Sequence, residues 1–190
     1  MTRKPEAPDQ PLRRGWTTGA CATAATKAAL TALLTGDFAD PVTITLPKGE
    51  QPGFALARQE RLADGGRMAS VIKDAGDDPD VTHLAEIRST VRRLPPGSGI
   101  VFKAGPGVGT VTRPGLPLAV GEPAINPVPR RLMSDVVTEL TAAVKNLIRA
   151  VEQGTKENKL NSAEKRAVQR LLETVLGRKP TSAELESILN

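Results

Sequence analysis

The hydrophobic and polar positions of this chain divide it into a helix, a series of short strands and a helical end. Thr17 or Thr18 offers an N-cap, with Thr18 the expected one, and from Gly19 the run ACATAATKAALTALL has strong helix-forming content, with Gly36 as a C′ stop. Val42 to Leu46 is β-branched and alternating, which predicts a strand. Pro47-Lys48-Gly49-Glu50 reads as a turn, with Phe54 to Arg58 as the return strand. After the turn signal Asp64-Gly65-Gly66, Met68 to Ile72 reads as a short strand. Ala85 to Val91 fits strand or helix equally. Ile100 to Phe102 and Val108 to Thr112 read as further strands.

Pro114, Pro117, Pro123, Pro127 and Pro129 argue against regular structure over residues 114–131. Composition changes at Ser134. Apolar positions at Val136, Val137, Leu140, Val144, Leu147, Ile148 and Val151 predict an amphipathic helix over 135–153. Asn161-Ser-Ala-Glu164 and Thr181-Ser-Ala-Glu184 match the capping-box pattern and predict helices near 162–176 and 182–189. The expected fold class is α+β. A loose arm occupies 1–11, a mixed domain 12–133 and a small all-helical appendage 134–190.

Composition narrows the function classes. Charged residues make up 25% and aromatics 2%, with no tyrosine, so the core must be Ala, Val, Leu and Ile. Scarce aromatics argue against base stacking on single strands, and no block of five like charges suggests a nucleic-acid tail. The net charge of +5 suits an anionic small molecule. One cysteine, Cys21, excludes an internal disulfide and fits a reducing compartment. The first residues lack the apolar stretch of a signal peptide, and no segment is apolar enough to span a bilayer. The expectation is a cytoplasmic protein without nucleic-acid or membrane partners.

Four runs carry candidate chemistry. In the first, Arg13-Arg14-Gly15-Trp16-Thr17-Thr18-Gly19-Ala20-Cys21, small residues at a helix N-terminus let an anion approach free amides, and two arginines stand just upstream. An ordinary Thr cap with exposed arginines gives the same pattern. Cys21 has no base beside it in sequence and reads as an inert small residue. The second run spans Lys73 to His83, with Asp74, Asp77, Asp78 and Asp80 in seven positions and the chain's only histidine. Gly76 and Pro79 make it a loop. Crowded carboxylates need a proton, a metal, a cationic partner or solvent. The loop could bind a divalent cation, supply a general acid or base, or stand as a solvated Asx turn; EF-hand spacing is missing.

The third run, Gly105-Pro106-Gly107-Val108-Gly109-Thr110-Val111-Thr112, is followed by Pro114 and not by a helix. It lacks the Walker ending, so both phosphate-loop motifs are rejected and a glycine turn remains. In the fourth run, prolines fix the backbone and would present Glu122, Asn126, Arg130 and Arg131 at set positions, or simply form a rigid connector.

RRGWTTGACATAATKAA, KDAGDDPDVTH and GPGVGTVTRPGLPLAVGEPAINPVPRRL, in this order, resemble the cobalt-precorrin-5B C(1)-methyltransferase (CbiD) family over roughly residues 12–133. The resemblance implies methyl transfer from S-adenosyl-L-methionine to carbon 1 of an anionic cobalt-tetrapyrrole, giving cobalt-precorrin-6A in anaerobic cobalamin biosynthesis. The step accompanies loss of a two-carbon fragment from the earlier ring contraction.

On that basis Arg13, Arg14, Thr17, Thr18, Gly19, Lys73, Glu122, Asn126, Arg130 and Arg131 are the expected substrate-binding residues. Asp74, Asp77, Asp78 and His83 are the expected proton-handling residues, with no metal ligand. Family members continue into a second, larger α/β portion, whereas this chain continues into 134–190. The two resulting hypotheses are an active methyltransferase and a non-catalytic tetrapyrrole-binding fragment. A homo-oligomer or a complementing protein is the partner the latter would require.

Overall fold

The computed structural model describes residues 12–115 and 117–156, with residues 166, 169, 179 and 181. The arm over 1–11 and the helix read near 182–189 lie outside the described residues, and of the helix read near 162–176 only residues 166 and 169, both helical, are described.

The fold is α+β: over residues 12–156 the described residues form two helices and two small antiparallel sheets. The first helix, α1 (Thr18–Thr35), ends on Gly36, whose φ of 98° is the left-handed stop expected of a C′ glycine. A short hairpin follows, β1 (Val42–Thr43) with β2 (Gly53–Phe54). The Ile44 amide donates to the Pro52 carbonyl and the Leu46 amide to the Glu50 carbonyl, so pairing persists toward the turn at Gly49. The second sheet has the order β3 (Arg58–Arg61), β4 (Arg67–Ile72), β5 (Glu86–Val91). The segment read as one return strand over 54–58 is therefore split between two sheets. The open choice at 85–91 resolves as a strand, because Val71 and Ile87 pair across the ladder on one face.

That face carries Ala69, Val71, Ile87 and Val91 and packs on α1 through Ala20, Cys21, Ala24, Ala25, Ala28 and Ala29. A stripe of alanines brings the helix axis close to the sheet. Val42, Ile44 and Phe54 close the core from the hairpin side. Buried threonines on α1 are satisfied locally: Thr23 donates to the Gly19 carbonyl at 2.8 Å, and Thr26 and Ser89 share a bond of 2.8 Å.

The second helix, α2 (Pro127–Lys156), starts well before the predicted Val136 stripe, within the segment whose prolines argued against regular structure. Pro127 and Pro129 sit in its first turn, where a helix has no use for their missing amides. A division at residue 134 would fall within α2. Leu30 of α1 packs with Leu140 and Ala143 of α2, and Gly19 lies against Pro129. The two helices therefore run in the same direction. An 18-residue helix is about 27 Å long, so the connection from β5 must travel back along it. Residues 92–126 make that return. Ile100–Phe102 is not a strand there, and Val108–Thr112 is reduced to one bridge, Thr110 with Pro123. Alternation predicts a strand only where a partner edge lies within reach.

Candidate functional site

Thr17, not Thr18, caps α1. Thr17 keeps extended backbone angles (φ −72°, ψ 156°), and its hydroxyl accepts from the Ala20 amide at 3.1 Å. Thr18 is already helical, and its hydroxyl meets that of Thr82 at 3.2 Å. The Thr18 and Gly19 amides belong to the first turn, which has no intrahelical acceptor. No acidic residue occupies that turn. Just upstream, the Trp16 amide donates to the Asp74 carbonyl at 2.7 Å, and its ring meets Phe54 edge-on at 5.9 Å. Arg14 lies over the Trp16 ring and pairs with Glu50.

The acidic loop is clipped to this arm along its length. Arg14 and Gly76 form an antiparallel bridge, the Asp77 amide donates to the Arg13 carbonyl, and the Arg13 amide donates to the Asp77 carboxylate. The approach is close enough to require glycine at two places. A Cβ on Gly15 would lie 1.8 Å from the Ala75 carbonyl carbon, and Gly76 holds φ of 65° against the Arg13 carbonyl.

Crowding in the loop is relieved by cations. The Arg13 guanidinium grips both oxygens of Asp74, and that hydrogen bond lowers the Asp74 carboxyl to about 2. Asp80 pairs with Lys73, whose ammonium, with Thr82, holds the carboxyl well below the usual carboxylate range. Lys73, expected among the substrate contacts, is fully buried, and its ammonium also donates to Thr82 Oγ1 at 2.6 Å. Thr82 donates in turn to Asp80 Oδ1 at 2.6 Å, so Thr18 is the donor in the Thr18–Thr82 contact. His83 Nδ1 accepts from the Ala75 amide at 3.1 Å, which leaves Nε2 to carry the proton of a neutral ring. Asp78 keeps its carboxylate exposed. Cys21 is buried and its thiol is pushed up to about 11 by desolvation, consistent with an inert residue.

The third segment reaches the same end of α1 from the other side. Arg130 is consumed by its own neighbourhood: it donates to the Ile125 and Pro123 carbonyls at 2.9 and 2.8 Å, pairs with Glu122 at 2.9 Å, and covers the Phe102 ring. These contacts fix the 122–126 backbone. Asn126, directly before α2, accepts the Arg130 amide on its carbonyl. A Cβ on Gly19 would stand 2.9 Å from Pro129, so the first turns of both helices touch.

Arm, acidic loop and both helix starts thus meet at one end of the molecule. An open groove of about 480 Å³ there is lined by Arg13, Arg14, Trp16, Thr17, Asp77 and Asp78, among others. Arg131 falls elsewhere, in a cleft of about 280 Å³ with Lys27, Asp135 and Glu139. The sequence reading missed Thr82 and Glu50. Thr82 had a legible signal, since Asp80-Val81-Thr82 forms an Asx turn with the Thr82 amide donating to Asp80 at 2.7 Å. Glu50 had none, because its partner Arg14 is distant in sequence.

The CbiD family model matches residues 5–165. The chain belongs to the CbiD family. It is 65% identical over 143 residues to the cobalt-precorrin-5B C(1)-methyltransferase of Rhodospirillum rubrum, covering 75% of this chain and 40% of that protein. It is 69% and 66% identical over 131 residues to the proteins of that name from Brucella anthropi and Brucella ovis, in each case covering 69% of this chain and 35% of the relative. The CbiD-family chain described here therefore spans two fifths or less of these curated relatives. No solved structure matches it. Among its described residues, no helix is long and apolar enough to cross a membrane.

Proposed function

We propose that this chain forms the substrate-holding part of a cobalt-precorrin-5B C(1)-methyltransferase. The reaction would move a methyl group from S-adenosyl-L-methionine to carbon 1 of cobalt-precorrin-5B, giving cobalt-precorrin-6A, in the cytoplasm. The observation that supports this most is the 65% identity to a relative of that name across three quarters of the chain. The geometry supports the role of the part. A substrate rich in carboxylates suits the first-turn amides of Thr18 and Gly19, and Arg13 and Arg14 line the groove at the same end of the molecule. Asp77 and Asp78 line that groove with exposed carboxylates and His83 of the same loop is exposed, so these groups would take up or release protons at the macrocycle. Lys73, Asp80 and Thr82 act behind them by holding the loop against Thr18.

The methyl donor fits poorly on this portion. The run Gly105–Gly109 passes into an isolated bridge at Thr110 and into no helix, so the glycine turn does not cradle a nucleoside as a strand–loop–helix unit does. The donor site is assigned to the part of the family protein beyond the residues matched to the relatives.

Titration separates the two halves of this reading. The chain alone should shift the visible absorbance of cobalt-precorrin-5B on binding. It should show no heat with S-adenosyl-L-methionine in calorimetry. An unchanged tetrapyrrole spectrum at saturating chain would overturn the substrate-holding role, and a saturable heat with the donor would overturn the assignment of the donor site.

A further inference from the structure

Residues 99–104 read Gly-Ile-Val-Phe-Lys-Ala, with the β-forming residues Ile100, Val101 and Phe102 in succession. Among the described residues, none of their backbone groups is hydrogen-bonded within the protein: the nearest backbone bonds are Ser98 to Pro95 and Val108 to Gly105. Ile100 and Val101 are 44% and 53% exposed. The same return connection also leaves Leu94, Val108 and Val120 exposed. A strand-forming segment with unmet backbone groups and open apolar side chains is a template for a further strand. The segment is also held in place, since Arg130 covers Phe102 and fixes the backbone at Pro123 and Ile125.

The relatives indicate what could cover it. The chain accounts for 35 to 40% of their length, so more than half of a family protein lies beyond the matched part. We propose that residues 99–104 are a docking edge for that remaining family portion, which adds a β-strand to it and buries Ile100 and Val101. The pairing is independent of the reaction catalysed and rests only on family membership and on the unpaired edge. The backbone would supply affinity, and the three successive apolar side chains, Ile100, Val101 and Phe102, would stand on alternate faces of the pairing.

Hydrogen exchange on two intact proteins tests the proposal. In this chain alone, the amides of 100–104 should exchange at rates near those of an open chain. In the full-length Rhodospirillum rubrum relative, the amides at the aligned positions should be at least a hundredfold slower. Val101→Asp should leave the melting temperature of this chain unchanged, because the side chain is open. The same change at the aligned position should lower that of the relative by several degrees. Fast exchange in both proteins would overturn the proposal. Slow exchange in this chain that grows with its concentration would also overturn it, because a second copy would then be the occupant.

Discussion

Arg13 and Asp77 hold each other through two hydrogen bonds, one to a backbone carbonyl and one to the Asp77 carboxylate. The Arg13 amide donates to Asp77 Oδ2 at 2.6 Å, and the Asp77 amide donates to the Arg13 carbonyl at 3.0 Å. Sixty-four positions apart in sequence, they join the arm before α1 to the acidic loop after β4. The Asp74 grip on the Arg13 side chain closes the same junction from the other side. The groove between arm and loop therefore exists only while this junction is made.

Gly15→Ala should open the junction. The added methyl would overlap the Ala75 backbone, which cannot swing aside as a flexible side-chain tip can. Overpacking of this kind costs about 1–3 kcal/mol. Trp16 is the only tryptophan and donates its amide to Asp74 within the junction. A red-shifted tryptophan emission and faster exchange at the Trp16 and Asp77 amides are the expected outcome; native emission and exchange would show that the contact is dispensable.

Acid should weaken the junction over a defined window. The Asp74 carboxyl falls from an ordinary 3.8 to about 2 because Arg13 hydrogen-bonds its ionised form. A carboxyl lowered on folding adds stability above pH 3.8, and that stability is lost as pH falls from there through 2. Both side chains are about half exposed, so the effect is small and shrinks with salt. Thermal melts of the native chain and Asp74→Asn should differ above pH 4 and converge near pH 2. A constant gap across that range would rule this linkage out.

Thr17 and Thr18 should separate cleanly. Thr17→Ala removes the hydroxyl that accepts the Ala20 amide and should cost about 1 kcal/mol. Thr18→Ala breaks only the contact with Thr82 and should cost less than about 0.5 kcal/mol. Urea midpoints of the two variants check the order, and a reversed order would return the cap to Thr18.

Asp77→Asn keeps an oxygen that can accept the Arg13 amide, so the fold should survive. His83→Ala removes the Nδ1 acceptor of the Ala75 amide and the imidazole 3.9 Å from Asp74. If these groups manage protons, each variant should lower turnover of the complete enzyme by about a hundredfold. Circular dichroism should stay native. Full turnover in both folded variants would leave the loop a purely structural role.

Much of the local architecture was legible along the chain. The cap–alanine–glycine series set α1, the turn signal at Asp64-Gly65-Gly66 announced β4, and the apolar stripe set the body of α2, because each of these depends on neighbours within a few residues. The acidic loop was legible as a loop with chemistry to account for. Tertiary structure decided what that chemistry is attached to. It sent Asp74 to Arg13 and Asp80 to Lys73, buried Lys73, spent Arg130 on its own backbone and placed Arg131 in a separate cleft. It also left Ile100–Phe102 without a ladder, although the residues are strand formers. A strand and an ion pair both need a partner from elsewhere in the chain. The sequence by itself names the groups able to pair, and only the folded path of the backbone brings one within reach of another.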